Sequence, residues 1–489
     1  MSVRIEYHDV APDAAEDATV TATGATSDSV PSAIPFGEGS QKFATLELNA
    51  WALDGSVVIQ DGEPVSFWSS ALSDANGDFQ TAPTITITLG NRYTSQGISF
   101  VFRGDAWCND LQIVWYQGNS VLDTKTFHPD AMTYFCENPV VAYDKLVITF
   151  NSMSLPNRRL KLDQILFGLI RIFYRDELRS GSVKILQEID PTSRELAANA
   201  MDFTISSKEP IEFMFQWRQP IYAYDDSNLI GIFYVDDSNR ISSRIYSVTC
   251  TDAIGILDNS PFPDTAYINA KNALTLAQEI CEGYTVDMDT ALQSKTVKGV
   301  IVGKSRRGAL QQLCFAIGAV ADTSGINGIK IRKLQTSDAK TIPPSRTRTG
   351  TTIRKAPIVT EVNLTAHSYS TRSAAGAEQV IINGVTYYDT QTVTTITNPD
   401  ATASDKPQVV SVADATLISS TNVAEIAQLL YDELTRRDIV QLKFRIADET
   451  LGDLVEVSTP WGDTVEGHYI KGTLTLSSFV LSDSEVMGA

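Results

Sequence analysis

Gly303-Lys304-Ser305, in VIVGKSRRGAL, is the part of this chain nearest to a phosphate-handling motif. A phosphate loop needs Gly-x-x-x-x-Gly-Lys-Ser, so that several backbone N–H groups converge on the anion. Here the nearest upstream glycine is Gly299, one residue too close, and Lys298 stands where the glycine belongs. The segment reads instead as a strand, a turn and a helix capped by Ser305 and ended by Gly318 or Gly325. The histidines are His8, His128, His367 and His468. They are too far apart in sequence for an HxH or HExxH metal pair. There is no Gly-x-Ser-x-Gly elbow for a serine nucleophile. Carboxylates do cluster, at Asp225-Asp226, Asp236-Asp237 and Asp483-x-Glu485. A glycosidase needs two carboxyls facing each other across a cleft. Asp-Asp followed by Ser-Asn is better read as an Asx turn. That string flanks LIGIFYV on both sides and predicts one strand with a turn at each end. No catalytic residue, cofactor or metal site is expected.

The aromatic residues offer binding chemistry. Trp51, Trp68, Trp107, Trp115 and Tyr116 all fall within residues 41–168. Aromatic faces stack on sugar rings. Trp51 and Trp115 alternate within strand patterns and are expected in the core. Trp107, in RGDAWCND, is the best loop candidate for a glycan or docking contact, and Trp68 and Asp54 join it as further candidates. Asp54-Gly55 also has the carboxylate and tight turn that a structural cation would use. The Arg103-Gly104-Asp105 string has no meaning without an exposed loop.

These residues must be positioned by a mainly β, multidomain chain. At 489 residues it is too long for one core. Residues 1–40 open strand-like with VRIEY and continue as an extended arm rich in Ala, Asp, Thr and Ser. Residues 41–168 carry ATLELNAW, TITITL, GISFVF, LQIVWY and DKLVITF, each with β-branched or aromatic residues at period two. That density of strands predicts a sandwich or barrel. Residues 169–262 read as a second β unit. Residues 263–335 switch period: ALTLAQEICEGY and SRRGALQQLCFAIGAVADTS place apolar residues at i, i+3, i+4 and i+7, which predicts two helices in a small α/β module. Residues 336–489 return to strands, with one helix in TNVAEIAQLLYDELTRRD.

Two resemblances sharpen this outline. In residues 41–168 the phrases NAWALDGS, FWSS, APTITITLG, TSQGISFVF and NDLQIVWY follow one another in the order of a discoidin-like (galactose-binding-like) domain. The resemblance implies a jelly roll, with Trp68 structural in its Trp-Ser-Ser. Further on, Gln219-Pro220 opens a strand and Asp225-Asp226-Ser227-Asn228 turns it. Leu229-Ile230-Gly231-x-Phe233-Tyr234-Val235 returns, and Tyr246-x-x-x-Cys250-x-Asp252-x-x-Gly255-x-Leu257-Asp258 closes. The chain finishes with a helix, a strand, Gly-Asp-x-Val-x-Val, a turn and Gly-x-Tyr-Ile-x-Gly-x-Leu-x-Leu. This order resembles bacteriophage tail or baseplate hub proteins, the rings at the tip of the tail tube. It implies two hub-type β-barrels, at 169–262 and 336–489, flanking the α/β module. It also implies a homotrimer in the virion that meets the tail tube, distal tail proteins, the tape-measure protein and other baseplate or fibre proteins. The jelly roll would dock a neighbouring tip protein or touch host cell-wall polysaccharide. A carbohydrate-binding adhesin without a hub role and a cell-wall glycan hydrolase are the alternatives.

Charge fits an assembly protein better than a nucleic-acid binder. The chain has 39 basic and 59 acidic residues, a net charge of −20. Affinity for phosphate backbones comes from Lys and Arg, and here they are outnumbered. Cys108, Cys136, Cys250, Cys281 and Cys314 are odd in number and lack CxxC spacing, so buried free thiols are expected, as in a protein assembled in a reducing cytoplasm. The first residues lack a basic segment followed by an apolar core, so no signal peptide is expected. No apolar run reaches membrane-spanning length.

Overall fold

The computed structural model describes residues 3–9, 14–23, 67–168, 170–208, 210–211, 215–402, 404–477 and 479–488. Trp51, Asp54 and Gly55 lie outside the described residues, as does most of the segment read as an arm. The fold is mainly β, in several sheets, with few helices and more than one domain. The chain forms two compact units. One holds Glu6–Ile172 and Phe213–Pro220, and the other holds Met1–Ile5, Phe173–Glu212 and Ile221–Ala489.

The first unit contains β1 (Ala18–Thr23), β2 (Phe67–Trp68), β3 (Thr84–Phe102), β4 (Cys108–Gln117), β5 (Ser120–Phe127), β6 (Thr133–Met153) and β7 (Lys161–Phe167). Their order is β2-β7-β3-β6-β4-β5, with β1 also on β3. In TITITL, Ile85, Ile87 and Leu89 enter the core while the threonines between them face outward. That is the period-two alternation read from sequence. β3 and β6 have 19 and 21 residues, and their ladder shifts register between Thr88 and Gly97. Bulges there bend strands that would otherwise be too long for one flat sheet. Trp115 is fully buried, with its ring 6.3 Å from that of Phe127 at 71°, an edge-to-face contact.

The second unit begins with β8 (Lys184–Glu188), β9 (Ala200–Ser206), β10 (Pro220–Asp225), β11 (Asn228–Ser242) and β12 (Ile245–Thr251). They pair in the order β8-β9-β12-β11-β10. Asp226, at φ 55°, and Ser227 turn β10 into β11, as the first Asp-Asp-Ser-Asn string predicts. The second string does not turn. Val235 and Asp237 pair with the adjacent residues Cys250 and Thr249, so Asp236 is a bulge and Asp236–Asn239 continue β11. The cross-strand ladder to β12 overrides the local Asx-turn tendency.

Helices follow, among them α1 (Ala253–Leu257), α2 (Ala273–Ile280) and α3 (Arg306–Ile317). Ser305 caps α3, its Oγ accepting the Gly308 N–H at 3.1 Å, and Gly318 ends it at φ 66°. Beyond them come β13 (Thr352–Lys355), then β14 (Glu361–Ser370), β15 (Glu378–Ile382), β16 (Val385–Thr397), β17 (Val409–Val412) and α4 (Val423–Leu434). α4 buries Val423, Ile426, Ala427 and Leu430, the spacing of one helix face. Residues of α2, α3, β14 and α4 belong to one hydrophobic core. The helical stretch 263–335 therefore shares its core with 359–430.

The chain closes with β18 (Asp438–Arg445), β19 (Leu454–Ser458), β20 (Thr464–Leu476) and β21 (Val480–Gly488). One sheet spans the early and late strands, in the order β13-β18-β21-β20-β8-β9-β12-β11-β10, and β19 also pairs with β20.

Candidate functional site: a duplicated strand module and its seam

The registers show that β8–β12 and β13 with β18–β21 are two copies of one module. In the first, Ile185 pairs with Met201, and Met201 with Cys250. In the second, Ile353 pairs with Val440, and Val440 with Val486. Both modules place a bulge at the same point of the long strand, at Asp236 in β11 and Ile470 in β20. The buried positions also coincide. Met201, Phe203, Ile205, Val235 and Cys250 correspond to Val440, Leu442, Phe444, Tyr469 and Val486, all at most 1% exposed. The apolar pattern is kept while the identities differ.

The two modules join edge to edge. β8 pairs with β9 on one side and with β20 on the other, from Lys184 opposite Thr475 to Glu188 opposite Lys471. Lys471 Nζ lies 2.6 Å from Glu188 Oε2. β20 has room for β8 because β19 occupies only Thr464–His468 of the same edge.

The Tyr246…Gly255 corner is structural. Tyr246 and Cys250 are buried near the start and the end of β12. Asp252 is fully buried. Its Oδ1 accepts the Gly255 N–H of α1 at 2.9 Å and its Oδ2 accepts the Thr323 hydroxyl at 2.7 Å. A Cβ on Gly255 would fall 1.9 Å from Thr251 Oγ1, which explains the glycine. Burial pushes the Asp252 carboxyl up to about 6, against the two hydrogen bonds that favour its charged form.

In the first unit Trp107 is half-buried. Its Nε1–H donates to the Pro129 carbonyl at 3.0 Å, and its backbone N–H donates to Ser154 Oγ at 3.0 Å. Trp68 is buried at 6% exposure, with Lys161 Nζ 4.7 Å from its ring centre. The charges of Arg103-Gly104-Asp105 are engaged locally. Arg103 pairs with Asp163 at 2.8 Å, and Asp105 accepts from Arg158 Nε at 2.9 Å and Nη2 at 2.8 Å. That contact holds the Asp105 carboxyl below the usual carboxylate range.

Two of the histidines, His367 and His468, serve packing. His367 Nδ1 lies 2.7 Å from Asp389 Oδ2, and His468 Nε2 lies 2.9 Å from the Gln335 carbonyl oxygen, both rings buried. No group of three or more metal-ligating side chains occurs among the described residues. A cleft of about 180 Å³ between α3 and the strand end at Val412 is lined by Arg194, Gln311, Gln312, Phe315, Ser411 and Asp414. Gln312 is held there by the Thr416 N–H, donated to its Oε1 at 2.9 Å. All five cysteines are buried and unpaired, and burial pushes the Cys108 and Cys281 thiols up to about 12.

No known family profile matches the sequence. No curated protein matches it either. The solved structures that this chain is similar to include phage and prophage tail proteins. A 43 kDa tail protein of prophage MuSo2 from Shewanella oneidensis is 12% identical with a TM-score of 0.46, covering 65% of this chain and 95% of its own. A tail protein from Neisseria meningitidis is 13% identical with a TM-score of 0.46, covering 65% of this chain and 93% of its own. Discoidin II from Dictyostelium discoideum is 12% identical with a TM-score of 0.20, covering 48% of this chain and 87% of its own.

Proposed function

We propose that this chain is a structural protein of a phage tail tip: a hub that assembles as a homotrimer, closes the distal end of the tail tube and docks neighbouring tip proteins. The observation that carries the reading is the duplicated module. One chain supplies two equivalent strand modules already joined edge to edge, which is what a ring of repeated β-modules needs. Three chains would supply six, and the sequence resemblance to tail hubs implies that arrangement. The acidic composition supports a ring through which nucleic acid passes without being gripped. The chain acts by assembly and not by catalysis.

The jelly roll serves as a docking surface for another tip protein. Trp107 is the residue by which it would contact that partner or a wall glycan. The test is the mass of the purified chain by light scattering, with negative-stain imaging. A trimer near three times 53.4 kDa with an axial hole supports the hub. A compact monomer at every concentration counts against it.

A further inference from the structure

We infer that the cleft between α3 and the strand end at Val412 binds a small zwitterion, an α-amino acid that gives its carboxylate to Arg194 and its ammonium to Asp414. This goes beyond the hub reading and does not rest on it. The cleft holds about 180 Å³, below the roughly 300–1,000 Å³ of drug-sized pockets, so its occupant is the size of one residue. Its lining carries one charged group of each sign, and the protein uses neither internally.

Arg194 stands on a loop pinned at several points. Asp190 accepts the Thr192 N–H at 2.9 Å and the Glu195 N–H at 3.0 Å. The Ser193 hydroxyl donates to the Ala319 carbonyl at 2.6 Å, and the Ser193 carbonyl accepts from Gln311 Nε2 at 2.7 Å. Arg194 Nε–H donates to Thr192 Oγ1 at 3.0 Å, which orients the guanidinium. Its two Nη groups have no acceptor among the described residues. They leave a planar fork of the kind that matches a carboxylate.

Asp414 comes from the other lining segment. The Thr416 N–H is shared between the Asp414 carbonyl at 3.1 Å and Gln312 Oε1 at 2.9 Å, and the Ala413 carbonyl lies 3.1 Å from His367 Nε2. The backbone is thereby held on both sides of Asp414. Its carboxylate takes no hydrogen bond and no ion pair from any described residue, Arg194 included. The glutamines between them are spent, because Gln312 Nε2 donates to Gln311 Oε1 at 3.1 Å. Phe315 and Ala415, both buried, add apolar lining for a short side chain.

An uncommitted cation and an uncommitted anion in one cleft select by charge pattern. A simple anion would satisfy Arg194 and be repelled by Asp414, and a simple cation the reverse. A molecule with both charges satisfies both groups and leaves no like charges facing.

The test titrates the full-length chain with L-valine, N-acetyl-L-valine and L-valinamide, read by saturation-transfer NMR. Each blocked compound keeps one charge. L-valine is expected to bind with a Kd on the order of 1 mM, and each blocked compound about fivefold more weakly, the fold-change of one exposed ion pair. Arg194→Gln should bring L-valine to the level of L-valinamide, and Asp414→Asn to that of N-acetyl-L-valine. The comparison of compounds on the unaltered chain holds whether or not the variants fold. No binding of L-valine, equal binding of the three compounds, or equal binding of L-valine by the wild type and both folded variants overturns the site.

Discussion

Lys471 and Glu188, 283 residues apart in sequence, meet at 2.6 Å across the join between the two strand modules. They are the closing pair of the β8–β20 ladder, and the ladder makes one sheet of two copies of a module. Both side chains are 43% exposed, so the pair reports on the seam more than it stabilises it.

Lys471→Glu places two like charges directly opposite. The expected loss is about 1 kcal/mol, read as a lower thermal midpoint. The double swap, Glu188→Lys with Lys471→Glu, should recover most of it. Equal losses in the single and double variants would show that the pair does not interact.

Asp252 predicts a pH dependence of definite sign. Its carboxyl is raised from 3.8 to about 6 by burial. Between those values the folded state holds a proton that the unfolded state has released. Its contribution is therefore complete below about pH 3.8 and is lost as pH rises through about 6, a change of about 3 kcal/mol. Asp252→Asn removes that dependence and keeps an oxygen to accept the Gly255 N–H. Denaturant unfolding of both chains between pH 4 and 7.5 should show the variant gaining on the wild type as pH rises. Parallel curves would contradict a buried, shifted carboxyl.

Gly299 sits at φ 141°, and a Cβ there would lie 2.0 Å from the Thr416 carbonyl oxygen. Neither the strain nor the clash with backbone can be relieved by a rotamer change. Gly299→Ala should destabilise the second unit by about 3 kcal/mol, seen in its thermal unfolding. A loss below about 0.5 kcal/mol would mean that the backbone yields there.

Asp105→Ala should weaken the first unit by about 1–2 kcal/mol, because the Arg158 side chain is only 9% exposed and loses its bidentate acceptor. Asp105→Asn keeps one acceptor and should lie between. Limited proteolysis of residues 67–168 against the rest of the chain would localise the effect.

Much of the architecture was legible because it rests on periodicity. TITITL alternates and forms a strand, ALTLAQEI repeats at helical spacing and forms α2, and Ser305 and Gly318 begin and end α3 as their types require. The second Asp-Asp-Ser-Asn string was misleading, because its turn chemistry is local and the ladder from β11 to β12 is not. The resemblance to tail hubs implies two barrels, but the residues of the two modules do not align by type. Ile185 and Ile353 match, but Phe203 stands for Leu442 and Cys250 for Val486, so the residue-by-residue equivalence comes from the paired registers. Trp107 reads as a loop aromatic, and the structure adds that its indole N–H is already engaged by Pro129. The seam partners Glu188 and Lys471 carried no signal, since two exposed charges become neighbours only through the long-range pairing.

The proposed assembly is a closed ring built from the duplicated module. Light scattering of the purified chain, with negative-stain images of the same sample, tests it most directly. A mass near three times 53.4 kDa, with rings that have an axial hole and carry six similar modules, is the expected result. A single 53.4 kDa species at all concentrations, with no ring in the images, would contradict it.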